Sequence, residues 1–377
     1  MKYGIIVFKE TTNIGDDIQS YAAMKQLPRV DYFIERESLN EFISNDNEKV
    51  KTIMNGWYMH NRFCFPPSKY IDPLFISCHF SPLNDGMGIT KEYMQGYVQE
   101  YMKFYEPIGC RDKVTLELLK ENNVDTYKSY CLTLTIPKLK NVKKEKKITL
   151  VDVSDNIKKK VASEYKNLIK EVTHNLDKSK NEKLSYIERM DNVEKLIYEY
   201  QSSELVITTR LHCALPCLAV GTPVLLIYDS KNGDVVNRIE DYISLLDYCS
   251  EEEFLQSDLA NYLNKKVRKD HLKIRDELIK KVQHFINDET SLKKEFTYDM
   301  VKYCHYVNKL VSIYRYNINE EKFAINNDLI NMKYAKEYWE KEFNLLLEKY
   351  EKLRNYSSRS LLVKFRDKIR GDKNEKF

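Results

Sequence analysis

Short apolar runs alternate with longer polar segments of helical period along most of the chain. Residues 3–8, YGIIVF, are a continuous apolar run and predict a buried strand. NIGDD follows, and then apolar positions at Ile18, Tyr21, Ala22 and Leu27. That order predicts a glycine turn, an acidic N-cap and a helix, with Asp16 and Asp17 read as capping residues. DYFIE, KTIMNGW and PLFISCHF are further strand candidates. Tyr93 to Tyr105 has helical spacing, and this helix and Trp57 read as core. PIGCRD looks like a strand end, DKVTLELLKENN like a capped helix, and VDTYKSYCLTL closes the half. Strands alternating with helices predict a mostly parallel sheet covered on its faces.

Residues 137–147, PKLKNVKKEKK, are cationic and without period, and read as a linker. KITLVDVS then restarts a strand. Helical stretches are expected around 157–176 and 184–202. The strand LVITT, the helix LHCALPCLAVG, the strand TPVLLIY and a helix through Val236, Ile239 and Ile243 follow. The expected fold is α/β, with two Rossmann-like domains facing a cleft in the GT-B manner and a helical C-terminal extension. The expected boundaries are 1–136, a linker at 137–147, 148–290, and 291–377. Around 332–357, Ala335, Trp339, Phe343, Leu346, Tyr350 and Leu353 recur every three or four residues, a candidate oligomer contact. In SLLVKFRDKIRG, Leu361, Leu362, Phe365 and Ile369 share one helical face opposite Lys364, Arg366, Lys368 and Arg370, the pattern of a peripheral membrane contact.

Composition narrows the classes. A 42% hydrophobic and 31% charged chain is globular rather than disordered. A net charge of +4 over 377 residues does not suggest a nucleic-acid partner. The 8 Cys contain no CxxC pair and read as buried thiols, with no metal site expected. MKYGIIVFKETT turns polar too early for a signal peptide, and no run approaches the roughly 20 apolar residues of a membrane span, so a cytoplasmic location is expected.

In open α/β sheets, ligands sit beyond the carboxyl ends of strands. Arg111 follows PIGC and Arg210 follows LVITT, each just before a helix whose N-terminus favours an anion. Two guanidinium groups suit a ligand with two anionic groups. His212 adds a proton-exchanging group, and Lys231 in IYDSKNGD a third cation. Each has a plainer reading: a satisfied Arg210–His212 pair at a helix start, Arg111 paired with Asp112, Lys231 as a loop lysine. Gly15 serves turn geometry. Asn13, Gly15, Asp16, Asp17 and His79 are candidates for the same cleft, although His79 is equally read as a core histidine.

With these residues in view, the chain resembles the polysaccharide pyruvyl transferase family over about residues 1–285. NIGDD resembles its Asn-x-Gly-Asp turn, and GCRDKVTLELL its Arg-Asp helix start. TTRLHCALPCLAVGTPVLLIYDSK resembles its Arg-Leu-His signature with the Gly-x-Pro and Tyr-Asp-x-Lys that follow. The resemblance implies transfer of a pyruvyl group from phosphoenolpyruvate to sugar hydroxyls, forming a ketal and releasing phosphate. Phosphoenolpyruvate would be co-substrate, with no further cofactor. Donor contacts would fall on Arg111, Arg210, Leu211 and His212, and the acceptor would be a sugar-containing, lipid-linked or nucleotide-linked glycan precursor. Residues 130–137, YCLTLTIP, depart from the family, many of whose members have Pro-Asp there. The alternatives are a nucleotide-sugar glycosyltransferase and a catalytically silent glycan-binding protein.

Overall fold

The computed structural model describes residues 1–58, 64–80, 94, 96–165, 168–228, 239–263 and 265–371, apart from some side chains along the last helix. The first half supplies β1 (Lys2–Val7), α1 (Ile14–Met24), β2 (Tyr32–Glu35), β3 (Val50–Ile53), β4 (Gly56–Tyr58), β5 (Ile71–Leu74) and β6 (Cys78–Phe80). It continues with α2 (Tyr97–Phe104), β7 (Ile108–Cys110), α3 (Lys113–Glu121) and β8 (Thr126–Lys128). All pairings are parallel, in the orders β2-β1-β3-β5 and β4-β6-β7-β8. The runs KTIMNGW and PLFISCHF are thus each split into two strands. In the second of them Ser77 adopts φ 58°, a left-handed conformation no strand can continue through. Backbone bonds from Gly109 N–H to the Phe75 carbonyl (2.9 Å) and from Arg111 N–H to that of Cys78 (2.8 Å) tie the two pieces together.

The second half supplies β9 (Ile148–Val151), α4 (Asp155–Tyr165), β10 (Ile169–Val172), α5 (Tyr186–Ser202), β11 (Leu205–Thr208), α6 (Leu211–Val220), β12 (Val224–Ile227), β13 (Asp247–Cys249) and α7 (His271–Asn287). Its sheet is parallel throughout, in the order β10-β9-β11-β12-β13. The helix expected over 157–176 is shorter: α4 ends at Tyr165, and Ile169–Val172 is an edge strand on β9. Its two apolar residues are only half-buried, a weak signal beside the charged helical run before it. α6 is apolar all round and buried from Cys213 to Val220. It ends where Gly221 takes φ 73°, the left-handed helix stop that glycine adopts without strain.

The two halves share an apolar core. Met1–Val311 is one compact unit. Its largest apolar cluster takes Ile5, Val7, Ile18, Leu132 and Leu134 from one half and Val193, Ile197, Leu215 and Leu226 from the other. Burying side chains of this size stabilises by roughly 1.5–3 kcal/mol each, so parting the halves would cost that much for every one it exposed. A buried ion pair reinforces it: Arg189 on α5 grips Asp17 on α1 through Nε (3.0 Å) and Nη2 (2.5 Å). Residues 137–147 carry no strand or helix, but the segment is held down by the Leu139 N–H to Gln201 Oε1 (2.7 Å) and Lys144 Nζ to the Ser203 carbonyl (2.8 Å).

The helical extension begins with α8 (Met300–Gly371). Tyr306 and Leu310 in its first turns are buried with Tyr97, Tyr101 and Phe296, so the expected boundary at 290 falls inside the compact unit. Ser312–Phe377 is a second unit, helical up to Gly371. There Phe343 is exposed. The side chains of Ala335, Trp339, Leu346, Tyr350, Leu353 and the basic tail helix lie outside the described residues, as does Val236. Seven of the eight cysteines are buried as expected, and Cys304 is exposed.

Candidate functional site

In the second sheet the chain order reverses between β9 and β11, and the crevice beyond their carboxyl ends is where an open α/β sheet binds ligands. Asp152 follows β9 and Arg210 follows β11. Arg210 stands at the N-cap of α6 and supplies no side-chain cap to it. The first N–H groups of a helix have no intrahelical partner, so that end favours an anion. Arg210 Nε donates to Asp152 Oδ2 (2.8 Å) and Nη2 to Asn175 Oδ1 (3.0 Å). Its fork is therefore aimed by two groups while the side chain stays over a third exposed. Asp152 sits at φ 51°, an arrangement that Asp tolerates better than most residues. Burial pushes its carboxyl up, but bonds from Thr173, the His174 N–H and Arg210 outweigh that and hold it below the usual range. Arg210, Asp152, Asn175 and Thr173 line a pocket of about 490 Å³ together with Lys158, Glu171 and Val153.

A short bridge links this pocket to the first half. Asn13 and Asn175 pair antiparallel, the Ile14 N–H donates to the His174 carbonyl (2.9 Å) and the Leu176 N–H to that of Thr12 (2.7 Å). His174 is itself fixed, its Nε2 lying 2.6 Å from the Tyr200 hydroxyl. On the α1 side, Asn13 Oδ1 accepts the Gly15 N–H (2.9 Å) and caps the helix. The His212 ring lies against this turn. A Cβ on Gly15 would be 3.1 Å from His212 Nδ1 and 3.0 Å from Asn13 Oδ1. Glycine thus serves close approach here rather than a special φ, and a larger residue would have to push His212 or Asn13 aside. Leu211 is half-buried beside it.

The remaining expected residues divide. Asp16 accepts from the Thr11 hydroxyl (2.6 Å) and Gln19 Nε2 (3.3 Å) and lines a separate pocket at the start of α1, not the Arg210 pocket. Asp17 points the other way, into the buried pair with Arg189, where burial raises its pKa to about 6 against the pull of that guanidinium. It is not part of the cleft. Arg111 is 4% exposed and does not line the Arg210 pocket; its Nη1 donates to Gln19 Oε1 (2.8 Å), and Gln19 lies one turn below Asp16. His79 is a buried core histidine, its Nδ1 2.5 Å from Asp112 Oδ2. Asp112 also caps α3. Burial would raise its carboxyl, but His79 and the Arg111 charge bring it down to about 2. Lys231 lies outside the described residues. Asp152, Asn175 and Gln19 escaped the sequence reading, although Asp152 at the end of KITLVD occupied the same strand-end position that singled out Arg210.

A family model described as polysaccharide pyruvyl transferase matches residues 13–231, from the Asn13 cap past the Arg-Leu-His turn to Lys231. The chain belongs to the polysaccharide pyruvyl transferase family. Membership places it among transferases that act on polysaccharides. Solved structures similar to the chain include an uncharacterized protein of Klebsiella pneumoniae, 13% identical over 66% of this chain and 93% of that one, with a TM-score of 0.36. Another is the UDP-GlcNAc 2-epimerase of Methanocaldococcus jannaschii, 9% identical over 75% and 100%, with a TM-score of 0.40. A third comes from the accessory secretory proteins 1, 2 and 3 of Streptococcus pneumoniae, 13% identical over 72% and 54%, with a TM-score of 0.33. At these scores none of them bears on function. No curated protein matches the chain.

Proposed function

We propose that the chain transfers the pyruvyl group of phosphoenolpyruvate to hydroxyls of a sugar in a glycan precursor and releases phosphate. The observation that carries this reading is the aimed Arg210 fork at an open helix N-terminus, with His212 on the first turn of the same helix. A guanidinium and free backbone N–H groups suit the donor's phosphate and carboxylate. Arg111, behind Gln19 and α1, would add to the positive field, and Lys231 is kept as a third cation. His212 would deliver a proton to the methylene carbon of the enol, leaving the adjacent carbon cationic. A sugar hydroxyl attacks that carbon and loses its proton, and the C–O bond to phosphate breaks. A second hydroxyl then closes the ketal. Proton transfer of this kind typically contributes about 10²–10⁴ in rate.

The same proposal holds that the two halves of the compact unit act in the GT-B manner around this crevice and that the enzyme works at the cytoplasmic face of a membrane. There the tail helix would rest on anionic lipid beside a lipid-linked acceptor, and the 332–357 segment would join copies. Among the described residues no helix is long and apolar enough to cross a membrane.

The test is phosphate release from phosphoenolpyruvate across a panel of acceptor glycans, with donor affinity measured by calorimetry. Arg210→Lys keeps the charge but loses the planar fork, and should weaken phosphoenolpyruvate by about tenfold or more. Unaltered affinity in both Arg210→Lys and Arg210→Ala would show that the donor binds elsewhere. Release of a nucleotide from a sugar nucleotide instead would point to a glycosyltransferase.

A further inference from the structure

A second pocket, of about 670 Å³, opens at the carboxyl ends of the first sheet. It lies where that sheet reverses order between β1 and β3, the position equivalent to the Arg210 crevice in the other half. Phe8 to Asn13 and Asp16 come from the β1–α1 connection, Glu35 to Glu37 from the end of β2, and Trp57 from the strand after β3. The volume is that of a small-molecule site, for which roughly 300–1,000 Å³ is usual. Trp57, read from the sequence as core, is instead partly exposed on its wall.

The chemistry of the lining separates this pocket from the Arg210 crevice. Four carboxylates, Glu10, Asp16, Glu35 and Glu37, face two cations, Lys9 and Arg36. Arg36 is already committed: its Nη1 donates to the Trp57 carbonyl (2.8 Å), its Nε pairs with Glu37 (2.5 Å), and its guanidinium covers the Phe8 ring at 4.6 Å. Glu35 is held by the Lys9 N–H (2.7 Å) and the Tyr186 hydroxyl (3.2 Å), with burial raising its pKa. Such a surface repels phosphate and carboxylate. It offers acceptors to hydroxyl groups and an indole beside them, and apolar C–H faces pack on aromatic rings. A dinucleotide is disfavoured for the same reason: its pyrophosphate would meet Asp16 at the start of α1.

We infer that this pocket is the acceptor subsite and takes an uncharged pyranose, a neutral hexose or N-acetylhexosamine, with its ring on Trp57 and its hydroxyls on Glu35, Glu37 and Asp16. The inference rests on the proposed sugar acceptor. Asn13 lines this pocket, Asn175 lines the Arg210 crevice, and the two residues pair with each other. Donor and acceptor would thus meet across one bridge, beside the Gly15–His212 contact.

The chain has two tryptophans, so Trp339→Phe leaves Trp57 as the only indole. In that background, methyl glycosides of glucose, galactose, mannose, N-acetylglucosamine and N-acetylmannosamine are titrated by fluorescence, and binding is checked by saturation-transfer NMR. At least one should saturate. By fluorescence its affinity should fall tenfold or more in Glu35→Gln and remain within threefold in Arg210→Lys; by NMR, binding should be largely retained in Trp57→Phe but lost in Trp57→Ala. Circular dichroism of each variant checks the fold. Saturation by none of the glycosides, equal NMR binding in folded Trp57→Ala, or tighter binding of uridine diphosphate at this pocket would overturn the inference. Loss of phosphoenolpyruvate binding leaves these readouts unchanged, so failure of the donor reading is seen separately.

Discussion

Adding one methyl group at Gly15 tests whether His212 must stand where it does. The new Cβ would lie 3.1 Å from His212 Nδ1, 3.3 Å from His212 Cβ and 3.0 Å from Asn13 Oδ1. Contacts this tight force the neighbours back by a few tenths of an ångström. Alanine favours the helix over glycine by up to about 1 kcal/mol, which offsets much of the strain, so net stability should change by no more than about 1 kcal/mol. Catalysis has no such offset. A displacement of about 1 Å in a reacting group can cost about 10²-fold, so a fraction of that should lower kcat by about tenfold. Donor affinity should stay within about threefold, because Arg210 is held by Asp152 and Asn175 rather than by α1. Urea denaturation, phosphoenolpyruvate calorimetry and phosphate-release kinetics measure the three quantities. A Gly15→Ala protein with wild-type kcat would show that the His212–α1 contact plays no part in turnover.

Three other outcomes are expected. His212→Asn should retain the fold and most donor affinity but lose turnover, as seen by calorimetry beside phosphate release; full activity would remove His212 from the mechanism. Asp112→Asn keeps a capping side chain on α3 but loses the charge between His79 and Arg111. Because the folded carboxyl is depressed from 3.8 to about 2, its contribution is complete above pH 4 and disappears as pH falls towards 2. The variant should therefore be about 2 kcal/mol less stable at pH 7, a gap that narrows below pH 4 in urea titrations. Deleting residues 357–377 should abolish salt-sensitive co-sedimentation with anionic vesicles and leave activity on a soluble acceptor intact; equal sedimentation with and without the tail would refute the membrane contact.

Local signals carried what was legible in the sequence. LVITTRLHCALP reads as strand, turn and buried helix because its period changes at Arg210, and Asp112 announces the start of α3. Pairings between distant residues could not be read this way. Arg111 meets Gln19 across 92 residues and Arg210 meets Asp152 across 58, and neither has a local pattern. Asp16 and Asp17 are neighbours of one type with opposite fates, since a helix turns about 100° per residue and points Asp16 to a pocket and Asp17 to Arg189. Trp57 was indistinguishable from core because an aromatic beside apolar residues looks the same whether its far edge meets protein or a pocket. For a related reason the polar, cationic composition of residues 137–147 describes their solvent-facing side but says nothing of the apolar cluster that the flanking halves share.

The Arg189–Asp17 pair fixes how a substrate can enter. Swinging one half away from the other would part this pair and expose the shared apolar cluster, at roughly 1.5–3 kcal/mol for each large side chain laid bare. With several laid bare, an open form would be populated in fewer than about one molecule in a hundred to a thousand. The waiting site is therefore the assembled site. On the proposed function, donor and acceptor would come in through the mouths of the two pockets, and turnover would not wait on the swing of a hinge.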